Sequence, residues 1–275
     1  MKTAFKILPQ LQQEEAFHLL VEAGWDAVSL VYYTKDPLCI EALYVYHVSK
    51  DSSPAQFVEN LGKIFETENL PGHISCQLCY NFKECTFVPA EFFNDADLPE
   101  MLGLLYGPNA KSSMVVENVE QLYMTAGVRV DERIASLLMK YFPGAQVHHS
   151  IALQLPLFCK QVNGLFCTVY QHSIRVVLIK DGSLQLARFF DYTTPTDVAY
   201  HLLNVSAQHE FLPGSGPLMI SGFIDQKSNL YEELYRYFMN IRLEESNSDV
   251  AYSQAVSQYP VHFFSPLSQL VSCVS

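Results

Sequence analysis

Few residue groups in this chain have the types and spacing for chemistry: Cys76-Gln77-Leu78-Cys79 with Cys85 close behind, the pair His148-His149, and the step Ser221-Gly222. Two cysteines three apart match the spacing of many metal and redox sites. Here, however, the span from Ile74 to Tyr80 reads as a β-strand, on which residues three apart point to opposite faces. Packed thiols are the expectation, because cysteine is among the most buried residue types. Adjacent histidines on an extended segment also face apart, which makes shared coordination of one ion awkward. The seven cysteines are odd in number and scattered from Cys39 to Cys273, so neither a disulfide framework nor a metal is expected. No Gly-x-Ser-x-Gly elbow, His-Glu-x-x-His helix or phosphate loop ending in Lys-Ser/Thr occurs, and no catalytic residue or cofactor is assigned.

The elements that must carry these residues follow from hydrophobic period and turn chemistry. Three strands are expected at Phe17 to Ala23, Ala27 to Tyr33 and Leu38 to His47, with turns at Gly24-Trp25-Asp26 and Thr34-Lys35-Asp36-Pro37. In the third, Leu43, Val45 and Val48 frame what reads as a tyrosine-rich surface. Ser53-Pro54-Ala55-Gln56 then has the form of a capping box with proline at the first helical position, and Phe57, Leu61, Ile64 and Phe65 share one helical face. A strand at Ile74 to Tyr80, an apolar segment at Thr86 to Pro89 and a helix at Leu98 to Tyr106 come next. Val119 to Thr125 reads as a strand, and Asp131 caps a helix bearing Ile134, Leu137, Leu138 and Tyr141 that Pro143-Gly144 stops. A strand and a helix fill Gln146 to Cys159.

The order then begins again. Strands are expected at Leu165 to Tyr170, Ile174 to Lys180 and Leu184 to Phe190, the last two joined by Asp181-Gly182, a strong hairpin signal. Thr194-Pro195-Thr196-Asp197 is a second capping box, followed by Val198, Leu202 and Val205 on one face. A short strand at Pro217 to Ser221, a helix bearing Leu230, Leu234, Tyr237 and Phe238, and segments at Ile241 to Leu243 and Val261 to Val271 complete it. Three strands followed by alternating helices and strands is the order of a ribonuclease H-like unit. The expected fold is α/β, two tandem ribonuclease H-like units in an actin-like ATPase arrangement. The first unit occupies residues 1–159 with an insertion near 85–112, and the second occupies 160–275.

Composition narrows the function classes. The 275 residues are 49% hydrophobic and 17% charged, enough to bury a substantial core. A net charge of −12 with no basic cluster repels a phosphate backbone, so nucleic acid is not an expected partner. Met1 to Pro9 has no apolar run of signal-peptide length, and the polar residues Gln12, Gln13, Glu14 and Glu15 follow. Nothing predicts export, no stretch is long enough for a membrane span, and the expected location is cytoplasmic. Sixteen tyrosines and eighteen phenylalanines favour contact surfaces as well as core.

Three segments carry a family resemblance: Phe87-Val88-Pro89-Ala90-Glu91-Phe92-Phe93; Leu137 to Phe142 followed by His148-His149; and Asp181-Gly182-Ser183-Leu184 through Phe190-Asp191-Tyr192-Thr193 with Asp197 and Tyr200. Together they resemble a bacterial domain-of-unknown-function family whose fold looks like that of the actin-like ATPases. The resemblance spans nearly the whole chain and implies architecture without an assigned activity. Actin-like proteins hold ATP with a Gly-rich hairpin in each unit, because backbone amides must approach phosphates and an acid must organise magnesium. In the first unit the corresponding turn is Glu22-Ala23-Gly24-Trp25-Asp26, which keeps an acid and a glycine but adds an indole and a second charge. In the second it is Tyr170-Gln171-His172-Ser173, with neither. Ser221-Gly222-Phe223 resembles the adenosine-contacting glycine pair with one glycine lost, and it also reads simply as a tight turn with positive φ.

The expectation is therefore a non-catalytic interaction or scaffold protein with an unidentified protein partner and no nucleotide. The alternatives are a divergent ATP-binding protein using Glu22, Gly24, Ser221 and Gly222, or a small-molecule sensor using the cleft between units. The first surface to consider is the insertion from Glu91 to Asn109. Its Phe92, Phe93, Leu98, Met101, Leu104, Leu105 and Tyr106 exceed what a short excursion needs as an anchor.

Overall fold

A computed structural model describes residues 1–9, 17–245 and 249–275. The polar run Gln12, Gln13, Glu14 and Glu15 lies outside these described residues. Chain contacts divide the molecule into two compact units. One comprises Met1–Leu153, Ala251–Val256 and Cys273–Ser275, the other Gln154–Val250 and Ser257–Ser272.

The first unit opens with β1 (Lys2–Ile7), β2 (His18–Gly24), β3 (Ala27–Lys35) and β4 (Leu38–His47), followed by α1 (Pro54–Thr67) and β5 (Ser75–Asn81). The next elements are β6 (Cys85–Pro89), α2 (Leu98–Tyr106), β7 (Ser112–Val119) and β8 (Met124–Asp131). The chain returns through α3 (Glu132–Tyr141), β9 (Gln146–His149) and α4 (Ser150–Phe158). The main sheet has the order β1-β4-β3-β2-β5-β9, and β6-β8-β7 form a separate three-stranded sheet. Ser53 caps α1 as the sequence predicts, its hydroxyl accepting from the Gln56 amide while the Gln56 side chain accepts from the Ser53 amide. Phe57 and Leu61 of α1 and Ile134 and Leu138 of α3 bury one face of the sheet together with Leu19, Val21, Leu30 and Tyr32.

Two local expectations are corrected here. Tyr44 and Tyr46 of β4 are part of this core and not of a surface. Almost every residue of β4 is buried, so the strand reads as a continuous apolar run in which polarity does not mark the outer face. Val119 to Thr125 is not one strand either. Val119 ends β7 and Met124 begins β8, and between them lies their reversal, a 3₁₀ turn at Glu120–Leu122 with Tyr123 in the left-handed region at φ 52°. Aromatic residues seldom adopt that conformation, so nothing in the residue types announced a turn there. In addition, β1 pairs with β4 although no strand was expected before residue 17.

The second unit contains β10 (Gly164–Val169), β11 (Ser173–Lys180), β12 (Ser183–Asp191), α5 (Pro195–Gln208), β13 (Leu218–Gly222), α6 (Asn229–Tyr235) and β14 (Ile241–Leu243). Its sheet order, β12-β11-β10-β13-β14, repeats the β4-β3-β2-β5-β9 portion of the first. Asp181 and Gly182 both have positive φ, as the two-residue hairpin requires. Thr194 and Asp197 form the predicted capping box of α5, whose Val198, Leu202 and Val205 are buried. α6 is shorter than its periodicity implied. It ends at Tyr235, leaving Tyr237 exposed, while Phe238 reaches the core from the turn that follows. The chain then adds β15 (Ala251–Tyr252) in parallel to β4 of the first unit, and ends in α7 (Val261–Val274). Among the described residues no helix is long and apolar enough to cross a membrane.

Candidate functional site

Open parallel sheets bind ligands beyond the carboxyl ends of their strands, so the turns that leave β2 and β10 are the places to examine in each unit. In the first unit Glu22 is on the face of β2 opposite the helix-covered core, 6% exposed. Its partners across the strands are Ser29 on β3 and Cys79 on β5. Burial first, and the Glu22 charge second, push the Cys79 thiol well above its ordinary range. Gly24 ends the strand where β5 comes close, since a Cβ there would lie 2.6 Å from the Asn81 carbonyl oxygen. This glycine is thus required by strand packing. Trp25 turns back onto α1 and the end of β5, its ring 5.5 Å from Phe57 and 5.7 Å from Phe82 in edge-to-face contacts.

In the second unit the turn is closed by its own hydrogen bonds. The Tyr170 amide donates to Ser173 O at 2.9 Å, and Tyr192 donates from its hydroxyl to Tyr170 O at 2.7 Å and from its amide to His172 O at 3.0 Å. A phosphate cradle needs backbone amides aimed outward, and the Tyr170 amide is already used. Ser221 shares a 3.1 Å hydrogen bond with Thr168 on the neighbouring strand. Gly222 has φ 84°, and a Cβ there would collide with the Val169 carbonyl oxygen, so this glycine also has a purely structural requirement. Glu22 with Gly24, and Ser221 with Gly222, therefore each lie at the carboxyl edge of their own sheet.

Sequence reasoning passed over Arg175. This β11 side chain is 1% exposed; its Nη2 donates to Thr168 Oγ1 at 3.2 Å, and the guanidinium is 6.0 Å from the centre of the Tyr170 ring. Its Nε and Nη1 have no hydrogen-bond partner among the described residues. A single cation inside the run Ser173-Ile174-Arg175-Val176-Val177 was the available signal.

The other motifs are structural. Cys76 packs on the core side of β5 while Cys79 is on the other face. Burial pushes the Cys76 thiol up to about 12. Among the described residues no group of three or more His, Cys, Asp or Glu is arranged around a possible metal ion. His148 and His149 both meet Glu117 of β7, but in different ways. His148 Nδ1 is 2.9 Å from Glu117 Oε1, and the His149 amide donates to Glu117 Oε2 at 2.6 Å. One carboxylate thus fastens the small sheet to β9.

That small sheet has its own anchors. Leu98 of α2 lies directly over Gly127 of β8, a position where any Cβ would collide with it, and Leu102 is buried one turn further on. Buried Arg129 pairs with Glu84 at 2.6 Å and donates to the carbonyl of Gly107, which closes α2, at 2.8 Å. Of the apolar residues singled out in this segment, Leu98 is therefore core. Phe92 is 70% exposed, Leu104 83% and Leu105 60%.

These two repeated sheets place the chain among proteins of the actin-like ATPase fold, built from two ribonuclease H-like units. Residues 9–241 match the family model described as "Protein of unknown function (DUF3822)", and the chain belongs to that family. A Bacteroides thetaiotaomicron protein with actin-like ATPase fold and unknown function superposes with a TM-score of 0.78 at 16% identity, covering 97% of this chain and 99% of that one. A chain of the PilM-PilN type IV pilus biogenesis complex gives 0.61 at 10% identity, covering 94% and 97%. The ethanolamine utilization protein EutJ from Carboxydothermus hydrogenoformans gives 0.51 at 10% identity, covering 96% and 92%. No curated protein matches the sequence.

Proposed function

We propose that this chain is a non-catalytic interaction protein that uses the actin-like shape as a scaffold and binds a protein partner through the small sheet and α2. The observation that carries the reading is the exposure of Phe92, Leu104 and Leu105 on a subdomain whose anchoring is already supplied by Leu98, Leu102, Arg129 and Glu117. Large apolar side chains left in water beyond what packing needs mark contact surfaces. The fold neighbour in the PilM-PilN complex is itself found with a protein partner, which agrees with this use of the architecture. The turns after β2 and β10 and the end of β13 support a reading without nucleotide chemistry, since Gly24, Gly222 and the Tyr170 amide serve packing or hairpin closure.

The test is a pull-down from the native host with the unaltered chain and with Leu104→Glu/Leu105→Glu, whose exposed positions are expected to leave folding intact, as circular dichroism would check. Loss of one specific partner in the variant is expected. An unchanged partner list overturns the surface. Magnesium-ATP titrated into the chain is expected to give no binding heat and no phosphate release, and steady release abolished by Glu22→Ala overturns the non-catalytic reading.

A further inference from the structure

The small sheet forms an open groove of about 560 Å³ at the β7–β8 reversal, and its chemistry names the kind of partner it fits. Phe93, Val116, Tyr123 and Met124 supply its apolar lining, and Asp95 and Glu120 its charge. Neither carboxylate has a hydrogen-bond or ion-pair partner within the described structure, whereas every carboxylate used to hold this subdomain together, Glu84, Glu117 and Asp131, is paired. The imbalance extends beyond the groove. Between residues 90 and 125 stand Glu91, Asp95, Asp97, Glu100, Glu117 and Glu120 against Lys111 alone. Tyr123 is 82% exposed and held in the left-handed region, a conformation with a backbone cost that presents the ring at the groove's rim.

We propose that this groove docks a basic linear segment of the protein partner, an aliphatic or aromatic anchor flanked by lysine or arginine. The inference deepens the interaction reading above and rests on it. The anchor seats between Phe93, Val116 and Met124, stacking under Tyr123 where aromatic, and its flanking cations meet Asp95 and Glu120. A volume of this size admits two or three side chains, which suits a short extended segment better than a folded surface. An acidic rim around an apolar centre gives such a segment orientation and a fast, salt-sensitive encounter, and it repels acidic competitors.

The probe is a fluorescein-labelled twelve-residue peptide with a central Leu-Phe pair flanked by lysines and glycines, with its glutamate counterpart as control. Both are titrated into the full chain and followed by anisotropy. The basic peptide is expected to bind, and the acidic one not to. Asp95→Lys/Glu120→Lys is expected to weaken binding at least about tenfold, the scale of losing two charge contacts. Asp51→Lys/Glu232→Lys changes net charge equally at exposed positions elsewhere and is expected to leave binding within about twofold, since distant exposed charges are screened. Equal weakening by both double variants, or equal binding of both peptides, overturns the groove by reducing it to overall charge. The pull-down separates this failure from failure of the interaction reading. A partner lost with Leu104→Glu/Leu105→Glu but retained with Asp95→Lys/Glu120→Lys overturns the groove and leaves the scaffold, whereas a partner retained by both variants overturns both.

Discussion

At the same place in its own sheet, the first unit sets Glu22 between Ser29 and Cys79, and the second sets Thr168 between Arg175 and Ser221. The register is shared to the residue: Ala23 pairs Val28 across four turn residues, and Val169 pairs Ile174 across four. The backbone of the duplicated unit has therefore been kept while the charge has been inverted, a carboxylate in one copy against a guanidinium in the other. Strand pairing needs only main-chain groups and a buried fit, so it tolerates such exchange, whereas a magnesium-phosphate site needs particular side chains in both copies. Each unit also has one glycine where the central strand and its parallel neighbour approach closely, but not at the same pair: Gly24 of β2 lies opposite Asn81, one pair beyond the position that corresponds to Val169 and Gly222 of β13.

The largest expected effect separates those two glycines. Gly222→Ala must both leave a positive φ and displace the Val169 carbonyl, and a loss on the order of 3 kcal/mol is expected in urea unfolding. Gly24→Ala meets the Asn81 carbonyl at 2.6 Å but from an ordinary φ, so a smaller loss of about 1–2 kcal/mol is expected as the strand ends shift apart. Equal losses would show that the positive φ of Gly222 adds nothing to the cost of the close approach.

A second contrast concerns the buried arginines. Arg129 has a carboxylate and a carbonyl, so Arg129→Met should destabilise by roughly 2 kcal/mol, discounted for the partly exposed Glu84. Among the described residues Arg175 has only a hydroxyl for hydrogen bonding and the Tyr170 ring nearby, and exchanging a buried cation without a carboxylate for an apolar side chain should stabilise by about 1–3 kcal/mol. Thermal unfolding of the two variants checks the opposite signs. Destabilisation by Arg175→Met would mean that the guanidinium has an acceptor that its hydrogen bonds do not show.

Much of this architecture was legible in the residues, and the failures share a cause. The β2–β4 meander, both capping boxes and the Asp181-Gly182 hairpin depend on local chemistry, which a sequence displays directly. β1 escaped because it buries only Ile7 and exists through pairing with β4, whose nearest partner residue is some 36 positions away (Ile7 with Leu43). The β7–β8 reversal escaped because its left-handed residue is a tyrosine, and α6 was drawn too long because Phe238 is buried by a turn that mimics helical spacing. At the candidate sites Glu22, Gly24, Ser221 and Gly222 were visible, but the packing that claims the two glycines depends on which strand lies alongside. Arg175 was visible as a charge, and only the fold showed it to be buried.

The smallest expected effect compares the two helices that follow the meanders. α1 begins with Ser53 and Gln56, α5 with Thr194 and Asp197, and both close reciprocal capping boxes. Ser53→Ala and Thr194→Ala should each cost about 1 kcal/mol near neutral pH, the usual value of an N-cap hydroxyl. The boxes then part with pH. Hydrogen bonds from the amides of Thr193 first and Thr194 second hold the Asp197 carboxyl below its ordinary range, while Gln56 does not titrate. A carboxyl lowered by folding stabilises fully above its unfolded value, and that contribution is lost as the pH falls through the folded value. Hydrogen exchange at the first turn of α5, referenced to the first turn of α1 and corrected for intrinsic rates, should therefore show protection falling on acidification through the carboxylate range in α5 alone. Asp197→Asn should remove that difference, leaving two boxes of one kind, and a pH response that persists in this variant would assign the effect to a group outside the box.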